Sequence, residues 1–380
     1  MQIDCSIDSK KDFNCPYKDN FNCPYDTQEE IRVDDQQLVI IFTLAGNTID
    51  IKDTEHSKQY LPGKPVSYPI KNSSQCQQQC VQARSYVTEV AEFIQNISRD
   101  TGLGDHVASI NWQSDNALWV KPLTDNSPMQ GQAIFGQVTV NQQLLSYASI
   151  RNIVAHEFFH GLNYITTVNS STKRGIEYKG ESGAVDESYA DIFAILFSNY
   201  AQSDIGQWDW EIGKGIGKEG KPIRDISNPS KYGQLKHMND YRYYLPGEKA
   251  IQDNDYLGVH DNCGILSKAA YNLITSKNSS GQYVFDVQTI VQIFYQSLNQ
   301  LAETPLFNDC YVAVKQSAYT QFYQDKSLTK EQIKEKIKAI DKAYNQVGIY
   351  EVTPTRLKKI FLTIKQTRTR FVNWLKKLRD

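Results

Sequence analysis

Apolar residues recur at helical spacing over two segments in the middle of the chain, and this pattern predicts two long helices. In the first, Ile150, Ile153, Phe158 and Leu162 share one face, as in a helix packed on a core. The second, over residues 184–199, is apolar almost all round and is predicted to be buried among other helices. The same spacing predicts further helices at residues 83–97, 264–274, 287–301, 307–323 and 330–344.

Strand-sized apolar runs precede most of these helices. They cover residues 38–44, 107–112, 117–120 and 133–140, and after Gly136 the pattern becomes helical. The sequence therefore predicts an α+β fold with a strand-rich N-terminal lobe and a helical C-terminal lobe. We divide it into a Cys-containing N-terminal region of uncertain structure (1–80), the strand-rich lobe (81–163), the helical lobe (164–349) and a tail (350–380).

The first long helix carries the sequence HEFFH at residues 156–160. Residues four apart lie on one face of a helix, so His156 and His160 can bind the same tetrahedral metal ion. Glu157 projects about 100° round the helix, where it can act as a general base without being a ligand. The motif thus supplies two zinc ligands and a general base.

The second long helix offers a third ligand. Glu187 and Asp191 are again four residues apart and can both face the first helix. Unpaired carboxylates on so apolar a helix would cost several kcal/mol, so metal binding explains them better than solvent exposure. Glu187 is predicted to complete the ligand set, and Asp191 to accept the second ring N–H of His156.

A single histidine follows a turn further along the chain, in the sequence DYLGVHDN at residues 255–262. His260 is predicted to donate a hydrogen bond to a tetrahedral oxyanion. A nearby carboxylate, for which Asp255 is the candidate, would keep the imidazole protonated.

With these residues in place, the chain resembles the thermolysin family of zinc metallopeptidases, also called gluzincins. The resemblance covers roughly residues 85–349. Five blocks carry it: NALW at 116–119, HEFFH at 156–160, residues 178–191 with GAVDE at 183–187, IRDISNPSKYG at 223–233, and GVHDNCGI at 258–265.

The resemblance implies a two-lobe α+β fold with one catalytic zinc ion (Zn²⁺) at the floor of the cleft. The ion would be held by His156, His160 and Glu187. It implies a zinc endopeptidase, a hydrolase that cleaves peptide or protein substrates with a zinc-bound water and Glu157 as general base. The pocket after the scissile bond would prefer bulky apolar side chains. Further roles implied are oxyanion stabilisation by His260 and Tyr178, substrate backbone binding by Asn116 and the main chain of Ala117, and a substrate carbonyl contact by Arg224.

Two departures argue against a calcium (Ca²⁺) site. Family members with paired calcium ions carry an Asp four residues before the first histidine and a Glu seven residues after the equivalent of Asp191. Here these positions are Asn152 and Ser198. A site for a hard divalent ion loses most of its charge with these two carboxylates.

Two other functions remain open at this stage. A zinc aminopeptidase would require an element that holds the substrate amine, such as Gly-x-Met-Glu-Asn, and none of the three methionines lies in one. An inactive or binding-only protein with the peptidase fold, for example a toxin or effector module, would use its basic tail for membrane or partner contact. Both Glu157 and His260 are retained, which favours an active enzyme.

Charge and cysteines bear on partners and compartment. The chain has 41 basic and 43 acidic residues, and residues 350–380 hold nine of the basic residues. Residues 354–380 are predicted to form an amphipathic helix that packs on the acidic body or contacts a membrane surface or protein partner; no nucleic-acid partner is predicted.

Five of the seven cysteines precede residue 81. They favour disulfides and a secreted or extracellular protein, although no signal peptide is visible; reduced thiols in a cytosolic chain are the alternative.

Overall fold

A computed structural model describes residues 31–34, 37–44, 64–65, 75–98, 106–111, 115–121, 131–167 and 175–351. In this part of the chain, no helix combines the length and the apolar character needed to cross a membrane. The predicted tail helix over 354–380 lies outside the described residues, and so does most of the region 1–80.

One mixed sheet forms the strand-rich part of the protein. Its strands are β1 (Ile31–Asp34), β2 (Gln37–Leu44), β3 (Lys64–Pro65), β4 (His106–Asn111), β5 (Ala117–Val120) and β6 (Gln132–Phe135). Their order is β1-β2-β4-β6-β5, with β3 also paired to β2. The central strands β2, β4 and β6 are parallel, whereas β5 runs antiparallel to β6 at the edge. The strands predicted at residues 38–44, 107–112 and 117–120 are confirmed.

The first helix, α1 (Gln75–Ser98), packs against β2 and begins eight residues before the predicted start. Its first residues, QCQQQC, have no apolar periodicity, but glutamine is a good helix former. The limit placed between residues 80 and 81 falls inside α1, and the sheet takes strands from before and after it. The limit between 163 and 164 likewise falls inside the next long helix. The division into segments otherwise stays a prediction.

A β-hairpin follows the sheet where the sequence pattern predicts helical structure. The predicted strand 133–140 is interrupted at Gly136, and β7 (Gln137–Val140) then pairs with β8 (Gln143–Ser146). The expectation of helix from residue 136 onward is wrong over this hairpin. Asn141 and Gln142 both have positive φ, at 49° and 66°, as a two-residue hairpin turn requires. Gln142 stands where glycine usually marks such a turn.

The C-terminal part is helical, as predicted. It contains α2 (Arg151–Thr167), α3 (Gly180–Asn199), α4 (Asp255–Ile274), α5 (Val287–Leu298), α6 (Phe307–Gln324) and α7 (Lys330–Asn345). A short pair of strands, β9 (Glu211–Ile212) and β10 (Arg224–Asp225), lies between α3 and α4. The helix predicted at 264–274 is confirmed as part of α4; residues 255–258 at its start have left-handed backbone angles and form the turn described below. The α+β fold class is confirmed.

Helix α3 lies at the centre of the helical part, packed between α2 and α4. Its apolar side chains are buried on every side; Ala184, Val185, Ile192, Phe193, Ile195 and Leu196 are all fully buried. A polar side chain on the buried part of this helix therefore needs a hydrogen-bonding or charged partner within the core. This arrangement brings the carboxylates of α3 against the histidines of α2.

Candidate metal centre

Helices α2 and α3 bring the three predicted zinc ligands together. The Nε2 atoms of His156 and His160 lie 3.1 Å apart. Glu187 Oε2 lies 3.4 Å from His156 Nε2, and Glu187 Oε1 lies 3.3 Å from His160 Nε2. All three residues are buried, and one ligand atom from each lies within 4.8 Å of the others. Two imidazoles and one carboxylate at this spacing are the donor set of a catalytic zinc site with an open fourth position.

Each histidine also has a carboxylate at its other ring nitrogen. Asp191 Oδ1 lies 2.9 Å from His156 Nδ1, a close charge contact whose angle falls short of a well-directed hydrogen bond. Asp186 Oδ2 lies 3.0 Å from His160 Nδ1. A carboxylate at Nδ1 favours the tautomer that leaves Nε2 as a lone-pair donor. The two Nε2 atoms that converge are therefore the atoms available to a metal, so these residues fit a zinc ion.

The sequence analysis missed the second of these carboxylates and the residue that holds it. Asn163 Nδ2 donates to Asp186 Oδ1 at 2.7 Å and to the Asp186 carbonyl at 3.0 Å. Helical spacing gave a signal for Asn163 alone, which lies three residues after His160. The chain thus places one carboxylate at Nδ1 of each of the two converging imidazoles.

Arg224, from β10, forms ion pairs with two carboxylates of α3, Asp191 and Glu187. Its Nη1 donates to Asp191 Oδ1 at 2.7 Å, and its Nη2 lies 3.0 Å from Glu187 Oε2. The side chain of Arg224 is buried. Sequence reasoning assigned Arg224 to substrate; the structure also makes it the fixed counter-charge of two core carboxylates.

The acidic and basic side chains around Glu187 stabilise one another's charged forms. Burial alone would raise the pKa of Glu187, but His260, Arg224 and His160 lower it well below its usual range. Burial likewise lowers the imidazole pKa values, yet Asp191 and Glu187 raise that of His156, and Asp186 with Glu187 raise that of His160. A field that favours protonated imidazoles also favours a bound cation.

Glu157 lies beside the ligands on α2 and is buried. Burial raises the pKa of its carboxyl, and the nearby His156 and His160 lower it by less. A carboxylate with a raised pKa is a stronger base than one in water, which suits a residue that must accept a proton near neutral pH.

The predicted oxyanion residues meet at the edge of the same cluster. Tyr178 Oη donates to Glu187 Oε1 at 2.6 Å and lies 3.2 Å from His260 Nε2. Asp255 Oδ1 lies 2.5 Å from His260 Nδ1, and Asp255 Oδ2 accepts from the His260 backbone N–H at 2.7 Å. Asp255 therefore holds both the ring and the main chain of His260.

Both of these groups are in their donor forms. Partial burial lowers the pKa of His260, but Glu187 and then Asp255 outweigh it and raise the pKa to about 9. Sequence reasoning named Asp255 alone as the charge partner and missed Glu187. Burial, and then Glu187, raise the pKa of the Tyr178 phenol well above its usual value. At neutral pH the His260 imidazolium and the neutral Tyr178 phenol therefore both lie close to Glu187 Oε1, at 3.4 and 2.6 Å.

Asn116 and Ala117, the other two residues predicted to bind substrate, lie on a different element from Arg224. Asn116 and Ala117 are at the start of the edge strand β5, where the Asn116 carbonyl accepts from Gly136 N at 2.8 Å. β5 packs on α2, and the rings of Trp119 and Tyr164 join the two elements with centroids 5.4 Å apart.

Comparison with known proteins identifies the family. Residues 174–349 match the family model of the thermolysin metallopeptidase alpha-helical domain. The neutral protease NprE of Bacillus pumilus is 30% identical over 281 residues, which cover 72% of this chain and 81% of that protein. The chain belongs to the thermolysin family of metallopeptidases. The resemblance drawn from the five sequence blocks is confirmed.

Other thermolysin-family relatives are longer than this chain. A zinc metalloproteinase of Listeria monocytogenes is 26% identical over 355 residues, covering 90% of this chain and 60% of that protein. A bacillolysin of Bacillus amyloliquefaciens is 30% identical over 281 residues, covering 72% of this chain and 47% of that protein. The chain thus spans about half to three fifths of the length of these two relatives.

A solved structure shares the fold. The precursor of protealysin, a metalloproteinase from Serratia proteamaculans, superposes with a TM-score of 0.59 at 21% identity, covering 82% of this chain and 87% of that one. At this identity the similarity supports the two-lobe α+β fold of the thermolysin family and nothing finer.

Proposed function

We propose that the protein is a zinc-dependent endopeptidase. The observation that carries the proposal is the convergence of His156 Nε2, His160 Nε2 and the Glu187 carboxylate within 4.8 Å in a buried site. Membership of the thermolysin family supports it, as does the relative named a zinc metalloproteinase.

In this proposal His156, His160 and Glu187 hold the zinc ion. A zinc ion in such a site acts as a Lewis acid that polarises the substrate carbonyl and makes water more acidic. Glu157 accepts the proton of the attacking water and returns it to the leaving amine. Its buried carboxylate is suited to both steps because its raised pKa lies nearer to neutrality.

His260 and Tyr178 would stabilise the negative charge that develops on the carbonyl oxygen. The His260 Nε2 and Tyr178 Oη atoms are 3.2 Å apart, so one oxygen can approach both donors. Donors aimed at developing charge stabilise the transition state more than the ground state. Asp255 contributes by holding the His260 imidazole in its charged form and its orientation.

Substrate binding would fall to Asn116, the main chain of Ala117 and Arg224. An edge strand such as β5 offers main-chain hydrogen bonds to an extended peptide. The guanidinium of Arg224 carries five N–H donors, so its ion pairs with Glu187 and Asp191 leave donors for a substrate carbonyl. We further propose a preference for bulky apolar residues after the scissile bond.

Quenched peptides blocked at both ends test this function directly. An endopeptidase cleaves them internally, whereas an enzyme that requires a free terminus leaves them intact. A series that varies only the residue after the scissile bond tests the apolar preference: Leu and Phe should be cleaved faster than Asp or Gly. Intact blocked peptides after incubation with the zinc-loaded chain would contradict the proposal.

We expect calcium to stabilise this protein little. Both polar atoms of the Asn152 side chain already form hydrogen bonds with main-chain groups: Nδ2 donates to the Glu211 carbonyl at 3.0 Å, and Oδ1 accepts from Gly213 N at 3.1 Å. The nearby carboxylate of Glu211 is already paired with lysines, at 2.6 Å from Lys231 Nζ and 3.1 Å from Lys214 Nζ. The midpoint of thermal unfolding should agree within ~2 °C with millimolar calcium and with a calcium-selective chelator. A much higher midpoint in calcium would reveal a site.

Deleting residues 354–380 should leave turnover of small peptides nearly unchanged, because every residue of the proposed machinery precedes them. The described chain ends at Glu351, whose carboxylate lies 2.8 Å from Lys315 Nζ on α6. The truncated and full-length proteins should then be compared for kcat, unfolding midpoint and binding to anionic vesicles. A lower midpoint would indicate a tail packed on the acidic body, and lost vesicle binding a membrane role. Collapse of turnover in a folded truncated protein would contradict the separation of tail and site.

The compartment remains a proposal as well. We propose a secreted or extracellular enzyme on the basis of the N-terminal cysteines. The described thiols of Cys263 and Cys310 are buried and unpaired, and burial raises the pKa of each thiol well above its usual value. Cys263 and Cys310 are therefore packing residues of the core. The proposal of an oxidising compartment depends on the N-terminal cysteines.

A further inference from the structure

The turn before His260 has an uncommon backbone conformation. Asp255, Tyr256 and Leu257 have φ angles of 52°, 48° and 71°, and Gly258 follows at 76°. Left-handed conformations are strained for a residue with a Cβ, so three in succession are retained only where the surroundings hold them. Only Gly258 adopts this conformation without that strain.

Two backbone hydrogen bonds and close packing around Gly258 stabilise the turn. Tyr256 N donates to the Ile251 carbonyl at 2.8 Å, and Leu257 N donates to Asn254 Oδ1 at 3.2 Å. Gly258 is packed so closely that a Cβ there would lie 2.9 Å from both the Tyr244 ring and Asn262 Nδ2. The strained conformation is therefore a fixed part of the fold.

The turn directs the Tyr256 ring onto Tyr178. The two ring centroids are 5.6 Å apart at 68°, an edge-to-face contact. Tyr178 is 38% exposed, so the helical core does not fix its ring by burial alone. The rings of His160 and His260 lie 6.4 and 6.3 Å from it, and Tyr256 adds a third ring beside it.

We propose that Tyr256 is a positioning residue for Tyr178. The contact would hold the Tyr178 hydroxyl where it lies, 2.6 Å from Glu187 Oε1 and 3.2 Å from His260 Nε2. This inference rests on the proposed function only in the role of Tyr178 as an oxyanion donor. The positioning itself is a property of the folded chain.

The kinetic test compares Tyr256→Ala with Tyr256→Phe in the zinc-loaded full chain. Both variants keep a Cβ at the left-handed position, so backbone strain is matched and only the ring differs. Tyr256→Ala should lower kcat by about ten-fold, a part of the loss expected for a missing oxyanion donor. KM should change less than about two-fold, because substrate binding is untouched. Tyr256→Phe should retain most of the activity.

A double-mutant cycle separates positioning from a general structural effect. In the Tyr178→Phe background, Tyr256→Ala should cause no further loss of kcat, because the hydroxyl that Tyr256 positions is already absent. Leu257→Gly is the matched control for the turn: it removes strain from the neighbouring residue, keeps the Tyr256 ring, and should leave kcat unchanged with an equal or higher unfolding midpoint.

A crystal structure of Tyr256→Ala tests the positioning without any activity measurement. The expected result is a Tyr178 ring that leaves its contact with Glu187 or occupies two rotamers. An unmoved Tyr178 ring would overturn the inference, as would additive losses in the cycle or a Tyr256→Phe variant as slow as Tyr256→Ala. An inactive wild-type chain would refute the proposed function instead, and the crystal structure would still decide the positioning.

Discussion

Glu157→Gln should abolish peptidase activity while leaving zinc bound. Glutamine has nearly the same shape as glutamate but cannot accept the proton of the attacking water. Loss of a general base typically lowers the rate by at least ~10²–10⁴. Because Glu157 is not one of the three converging ligands, metal content should stay at one zinc per chain. The measurements are kcat on a quenched peptide and zinc content by elemental analysis of the same sample.

The matched control is a glutamate outside the cluster. Glu89 contacts Arg151, at 2.7 Å from Arg151 Nε to Glu89 Oε2, in a partly exposed ion pair, and Glu89→Gln should leave kcat unchanged. Wild-type turnover by the Glu157→Gln variant would refute the assigned mechanism. If the Glu157→Gln variant lost both its zinc and its activity, Glu157 would instead help to hold the metal.

Glu187→Gln and His260→Ala should separate metal binding from transition-state stabilisation. Glu187 supplies an anionic ligand, so its removal should lower zinc affinity by more than the ~10–100-fold typical of residues behind the ligands. His260 Nε2 lies 3.4 Å from Glu187 Oε1, and in the proposed mechanism it would act only on charge that develops during the reaction. His260→Ala should therefore lower kcat by about 10²–10³ and leave zinc bound.

Two quantities are measured for both Glu187→Gln and His260→Ala. Zinc affinity comes from competition with a coloured chelator, and kcat is measured at saturating zinc. Equal loss of zinc affinity in both variants would contradict the division of roles. So would a His260→Ala variant with wild-type turnover.

The parts of the site that could be predicted from the sequence follow from helical periodicity. His156 and His160 are four apart on α2, as are Glu187 and Asp191 on α3, so each helix brings its pair to one face. The apolar character of α3 then requires its carboxylates to have partners in the core. Burial of the whole cluster, with Glu187 only 2% exposed, agrees with that reasoning.

The remaining features depend on contacts that a single sequence pattern does not encode. Asp186 is polar and directly precedes Glu187, so nothing in the periodicity distinguishes it, yet it holds His160 and is itself held by Asn163. The hairpin after Gly136 lacks the usual glycine in its turn. The left-handed conformation of Tyr256 and Leu257 contradicts their local preference, and their backbone N–H groups donate to the Ile251 carbonyl and to Asn254 Oδ1.

The central claim is that one zinc ion held by His156, His160 and Glu187 makes this chain an endopeptidase. The most direct measurement is a zinc titration of the purified chain after exhaustive chelation, followed by cleavage of a quenched peptide blocked at both ends. We predict no cleavage without zinc, and activity that rises linearly and reaches a plateau at one zinc per chain. Full activity in the chelated protein, or no cleavage at a zinc content of one per chain, would contradict the account.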